Sequence, residues 1–124
     1  MIRTFIASVC GAAVILGVAA FFLAVTPVHA AECGKASWYG AAHHGKLMAN
    51  GKPFNMHALT AASNTLPLGT KARVTSGKRS VVVTITDTGG FGKYGRIIDL
   101  SRGAFAKLAH PDKGITQVCV QKVG

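Results

Sequence analysis

Two stretches of the chain alternate apolar and polar residues with the period of a strand. In Thr70 to Thr75, Ala72 and Val74 share one face. In Ser80 to Thr86, Val81, Val83 and Ile85 lie on one side and Val82, Thr84 and Thr86 on the other. Ser76-Gly77-Lys78 between them reads as a turn, so the two strands form a hairpin. Further short strands are expected at Lys35 to Gly40, Ala58 to Ala62, Arg96 to Asp99 and Thr116 to Val123. The last places Val118 and Val120 inward and Cys119 on the opposite face. Gly40 to Phe54 is a long loop rich in His, Gly and Asn. One helix is expected, from Arg102 to Ala109, capped by Ser101, with Ala104, Phe105 and Leu108 on its buried face. His110-Pro111 stops it. Many short strands, Gly-rich turns and a single short helix predict a mainly-β fold, a small closed barrel. Closure hides edges that so small a domain cannot otherwise cover.

The N-terminus follows a different pattern. Arg3 is its one charge, Phe5 to Val25 carries none, and Val28-His29-Ala30 supplies small residues around a cleavage step. This reads as a secretory signal peptide over residues 1–30, cut after Ala30, with the barrel domain at 31–124. The alternative is an uncleaved membrane anchor, because 21 apolar residues are long enough to span a bilayer. Only through such a segment would the protein touch a membrane. Cleavage removes Cys10 and leaves Cys33 and Cys119, near the two ends of the domain. Export puts them where disulfides persist, so a Cys33–Cys119 bridge is expected.

The whole chain has 14 Lys+Arg against 4 Asp+Glu; without Arg3 the exported domain stands at 13 against 4, a balance of +9. Such a surface suits an anionic partner. No helix-turn-helix, zinc-finger or RNP pattern is present, so nucleic acid is not expected. Anionic polymers of the cell envelope are the partners an exported basic protein meets.

Two further segments carry a resemblance. Residues 36 to 70, ASWYGAAHHGKLMANGKPFNMHALTAASNTLPLGT, and 81 to 101, VVVTITDTGGFGKYGRIIDLS, resemble the rare lipoprotein A (RlpA) family of peptidoglycan-acting proteins. The resemblance covers about residues 35 to 122. It implies a six-stranded double-psi β-barrel and a lytic transglycosylase that cleaves MurNAc–GlcNAc linkages in peptidoglycan glycan strands. It implies location in the periplasm or outside the cell. In such enzymes the sugar's own 6-hydroxyl attacks the anomeric carbon and leaves a 1,6-anhydro end. No water has to be positioned, and one group can act as acid and then as base.

The residues available for that chemistry are few. The exported domain holds four acids, Glu32, Asp87, Asp99 and Asp112. Glu32 and Asp112 are expected at the terminus and in a turn. Asp99 is expected to cap the helix and satisfy backbone groups. Asp87 closes an apolar strand and precedes Gly89-Gly90, where a substrate can approach the backbone. The resemblance makes Asp87 the catalytic acid/base, with an Asp-turn as the plain alternative. The resembled family carries an acidic pair where this chain has Lys52 and Asn55, and a His where it has Ser63. These changes favour a second reading, a glycan-binding barrel without turnover. Lys52 has two roles open to it: an ion pair with Asp87, or a contact to a lactyl or peptide carboxylate. Trp38 and Tyr39 offer flat faces to pyranose rings, or belong to the core. His44 and Asn50 match the family's loop and would contact glycan or hold the loop. His43, His44 and His57 lack metal-ligand spacing, and no P-loop or Gly-x-Ser-x-Gly elbow occurs; no cofactor or metal is expected.

Overall fold

The computed structural model describes residues 31–89 and 95–123. The expected signal peptide, its cleavage point and Gly90 lie outside them. The described elements are β1 (Glu32–Tyr39), β2 (Thr60–Ala62), β3 (Lys71–Ser76), β4 (Arg79–Asp87), β5 (Arg96–Ser101), α1 (Arg102–Ala106), a 3-10 turn (Pro111–Lys113) and β6 (Ile115–Val123). The strands close into one barrel in the order β1-β5-β2-β4-β3-β6. Pairs β1–β5 and β2–β4 are parallel; β1–β6, β2–β5, β3–β4 and β3–β6 are antiparallel.

The alternation read from β3 and β4 is the one that fills the barrel. Val74, Val81, Val83 and Ile85 point inward and join Ile98, Leu100, Val118 and Val120 in a single core. The hairpin between β3 and β4 turns on Gly77, whose φ of 60° is cheap only for glycine. Phe105 of α1 closes the core at 0% exposure. Burying that ring stabilises the fold by about 2–3 kcal/mol. Ser101 caps α1 as expected, its Oγ accepting from the Ala104 amide at 3.1 Å.

Among the boundaries that differ from expectation, three have a tertiary reason. β1 starts at Glu32 because it pairs with β6 from Glu32↔Val120 onward, a contact that period alone does not reveal. β2 shrinks to three residues, wedged between β4 and β5. The helix ends at Ala106 rather than Ala109: the amides of Leu108 and Ala109 both return to the Phe105 carbonyl, at 2.8 and 2.9 Å. Leu108 nonetheless stays buried. Cys33 and Cys119 face each other across β1–β6 and form the expected disulfide.

Candidate functional site

β2 is short, yet it organises the site. Its last residue, Ala62, is the register partner of Asp87 on β4 and of Asp99 on β5. Two strand spacings therefore separate the two aspartates, roughly 10 Å between their Cα atoms. A methyl group is all that lies on the strand between them. The result is an open cavity of about 290 Å³, lined by Asp87, Asp99, Ala62, Tyr39, His43 and Arg96, with Thr88 and Gly89 at one edge.

Asp99 sits deepest. Its Oδ1 accepts from the Ser37 hydroxyl at 3.0 Å, and that hydroxyl accepts in turn from Arg96 Nη1 at 2.7 Å. Burial pushes the Asp99 carboxyl above its ordinary value, and the charge of Asp87 adds to the effect. The Ser37 hydrogen bond, Arg96 and His43 oppose it. The net direction is upward, the condition of a carboxyl that can hold a proton and donate it. Capping, the role expected of Asp99, belongs to Ser101 instead.

Asp87 is held from the other side. Its Oδ1 accepts the amides of Ala49 and Thr88, both at 2.9 Å. Through Ala49 it anchors the long loop, which is itself a small hairpin closed by the Leu47↔Pro53 bridge. The amide of Asn50 adds a bond to the Thr86 carbonyl at 3.2 Å. On the opposite flank Gly89 donates to Asn64 Oδ1 at 3.2 Å, and Ser63 donates its amide to the Asp87 carbonyl at 3.1 Å. No hydrogen bond to Asp87 Oδ2 is made among the described residues.

Tyr39 lines the cavity, and its ring is covered from within the protein. Phe54 stacks on the ring at 4.3 Å and 14°. The hydroxyl is buried and has no hydrogen-bond partner among the described residues. Burial, then the charges of Asp87 and Asp99, raise its pKa well above the tyrosine range, so it stays a proton donor at any physiological pH. A buried donor without a partner, on a residue that lines the cavity with both acids, is a group still in want of an acceptor.

The remaining predicted residues divide into two groups. Asn50, Lys52 and Asn55 come together in a second, larger cavity behind the loop. Lys52 makes no ion pair among the described residues, so the pairing with Asp87 does not form. Trp38, His44 and Ser63 line neither cavity. Trp38 packs against the core, donates its indole N–H to the Pro111 carbonyl at 2.8 Å and lies under Arg102. His44 Nδ1 accepts from the Met56 amide at 3.1 Å and holds the loop. Ser63 is 2% exposed and closes β2, its Oγ accepting the amides of Thr65 and Leu66 at 3.2 and 3.0 Å. Sequence reasoning missed Asp99 as a cavity acid, and with it His43, Arg96 and Ala62. The parallel β1–β5 pairing that brings Ser37 opposite Asp99 has no signature in local periodicity.

A closed six-stranded barrel with one short helix is the fold of the double-psi β-barrels. The chain belongs to the lytic transglycolase family, whose model matches residues 31–120. It is 44% identical over 104 residues to a probable endolytic peptidoglycan transglycosylase RlpA of Synechocystis sp., covering 82% of this chain and 32% of that protein. It is 45% identical over 101 residues to the endolytic peptidoglycan transglycosylase RlpA of Rickettsia typhi, covering 77% of this chain and 31% of the relative. The chain thus spans about a third of the length of these relatives. Among solved structures, the Streptomyces papain inhibitor matches with a TM-score of 0.65 and 26% identity, over 81% of this chain and 100% of that one. A Clavibacter michiganensis expansin in complex with cellohexaose matches with a TM-score of 0.62 and 21% identity, over 77% of this chain and 51% of the other, which is a likeness of fold.

Proposed function

We propose that this protein is an exported endolytic lytic transglycosylase, acting on peptidoglycan strands in the cell envelope outside the cytoplasm. The names of its relatives support the reaction class. The observation that carries the proposal is the pair Asp87 and Asp99 on either side of Ala62, with the Asp99 carboxyl raised by burial. The expectation of a single catalytic aspartate thereby widens to a pair. Asp99, protonated, gives its proton to the oxygen of the MurNAc–GlcNAc bond, and the C1–O bond breaks. Asp87 Oδ2 faces the positive charge that develops at the anomeric carbon. The MurNAc 6-hydroxyl attacks C1, and its proton returns to Asp99. The products are a 1,6-anhydro end and a free GlcNAc hydroxyl, with no water consumed. Tyr39 donates to a sugar oxygen and fixes the ring between the acids.

The second reading, a glycan-binding barrel without turnover, draws on Lys52, Asn55 and Ser63. All three lie outside the Asp87–Asp99 cavity, so their identities leave both of its acids in place. The test is incubation of the purified protein with sacculi and mass spectrometry of what is released. Anhydro-ended fragments are expected, absent from Asp99→Asn and strongly reduced in Asp87→Asn. Protein that pellets with sacculi and releases nothing would replace the enzyme with the binding barrel.

A further inference from the structure

The few acids of this basic domain keep to one part of the barrel. Residues 64–86 and 113–123, which hold β3, β6 and all of β4 but its last residue, carry Lys71, Arg73, Lys78, Arg79, Lys113 and Lys122 and no acid. A third cavity opens on this side. It measures about 440 Å³ and is lined by polar residues of β3 and β6 and by Lys113, with Val118 and Cys119 as its apolar part. It shares no residue with the acid groove. Along β4, Asp87 lies eight residues beyond Arg79, the register partner of Ser76 in this cavity. That is about 27 Å of strand.

One ammonium is set into the cavity. Lys113 Nζ donates to the Thr116 hydroxyl at 3.5 Å. Thr116 is buried, and its hydroxyl lies 3.3 Å from Ser76 Oγ, which itself donates to the Gln117 carbonyl at 2.8 Å. The Ser76 proton is committed to that carbonyl, so Thr116 donates to Ser76 and the chain runs one way, from Lys113 through Thr116 and Ser76 to Gln117. Thr116 then holds the ammonium as an acceptor and leaves it two N–H groups for the cavity. Lys113 makes no ion pair among the described residues; the neighbouring Asp112 faces His110 instead, Oδ2 to Nδ1 at 3.6 Å. Other cations stand around the opening. Lys78 and Arg79 follow Gly77 in the hairpin, both exposed, and the exposed Lys35 is the register partner of Gln117. A fixed ammonium ringed by cations, beside hydroxyls and a carboxamide, suits a multiply charged oxyanion, which means phosphate. Phosphate alone would fill a small part of the volume. The rest, apolar along Val118 and Cys119 and polar along Thr75 and Gln117, suits the polyol or sugar that bears it.

We propose that this cavity binds the phosphate of an anionic envelope polymer, together with the polyol or sugar that carries it, and so holds the protein on the wall apart from the groove. The inference does not rest on the cleavage reaction, because the two sites have no residue in common.

The test has two arms. In the first, glycerol phosphate, inorganic phosphate and glycerol are each titrated into isotope-labelled protein at about 0.15 M salt. Glycerol phosphate is expected to shift the amides of Gly77, Lys113 and Gln117 and to leave Ala62 in place; glycerol shifts none. Lys113→Gln weakens binding by about tenfold, the scale of a hydrogen bond to a charged group. Thr116→Val, nearly isosteric, releases the ammonium and weakens binding by a smaller factor. Lys107→Gln, the same loss of charge on an exposed residue at the end of α1, leaves it unchanged. In the second arm, pelleting is compared on sacculi that carry phosphate polymers and on the same sacculi stripped of them by hydrofluoric acid. The wild type pellets better with the first; Lys113→Gln removes the difference and Asp87→Asn keeps it. Equal losses in Lys113→Gln and Lys107→Gln would reduce the binding to net charge and overturn the proposal. Inorganic phosphate bound as tightly as glycerol phosphate would mean an adventitious ion only. Glycerol phosphate shifts with equal pelleting on both sacculi would make the ligand a soluble phosphate ester and overturn the polymer. Release of anhydro products is read separately: it depends on Asp99 and not on Lys113, so neither reading falls with the other.

Discussion

Asp99 is the residue where stability and chemistry pull in opposite directions. Its carboxyl is raised in the fold, so the folded state holds a proton that the unfolded chain would release. The sign follows from linkage. The stability that Asp99 allows is fully present below the unfolded carboxylate pKa of about 3.9 and is lost as pH rises through the higher folded value. Asp99→Asn, which cannot ionise, is therefore expected to raise Tm at pH 7 relative to the wild type. At pH 3 the two proteins should melt together. The same variant should release no anhydro product, and wild-type turnover should fall as pH climbs through the raised Asp99 value. A variant with lower Tm at pH 7 would mean that the Ser37 and Arg96 contacts outweigh the cost of burial. Tyr39 offers a complementary case. Its hydroxyl has no partner among the described residues, so Tyr39→Phe should leave urea stability within about 1 kcal/mol of wild type. Turnover should nonetheless fall, through KM or kcat, if that hydroxyl meets the substrate. At this scale the sequence was legible for Asp87, which ends an obvious strand beside glycines. It was misleading for Asp99, because an acid three residues before the first helical position looks like a contributor to the cap. Ser101 fills that role, and Asp99 is left to face the groove.

Among the elements, alternation revealed what is local and missed what is not. The β3–β4 hairpin could be read from Ala72, Val74, Val81, Val83 and Ile85, because neighbours in sequence pair with one another. The parallel partners of β1 and β2 are distant in the chain, and no local period encodes them. Close approaches of backbone were equally hidden. Gly103, in the first turn of α1, donates its amide to the Met56 carbonyl at 2.8 Å, and a Cβ there would stand 2.7 Å from the His57 carbonyl oxygen. Helix propensity alone favours alanine at this position. The packing reverses the sign: Gly103→Ala is expected to destabilise by about 1–3 kcal/mol, the cost of overpacking against rigid backbone. A urea midpoint at or above wild type would mean that the loop around His57 yields freely.

Across the whole molecule, charge and covalent closure serve different ends of the barrel. A domain at +9 gathers two of its four acids into one groove, an arrangement that costs stability and is typical of a site. The disulfide joins β1 to β6, the seam where the barrel closes. In barrel order the acids sit on β4 and β5 around β2; β5 lies beside β1, one strand from that seam, and β4 lies two strands from β6. Cys33 and Cys119 are 86 residues apart, so their bond removes much of the freedom of the unfolded chain. Loss of the bond, by Cys33→Ser with Cys119→Ser, is expected to cost about 2–4 kcal/mol. Thiol titration of the unfolded, unreduced protein should find neither cysteine free. Because the constraint acts mainly on the unfolded state, the folded groove should be unchanged. The double variant should then unfold at lower urea yet release anhydro products at the wild-type rate well below its Tm. A loss of turnover in a variant that remains folded would show that the β1–β6 seam sets the geometry of the acid pair through β1, whose Ser37 holds Asp99.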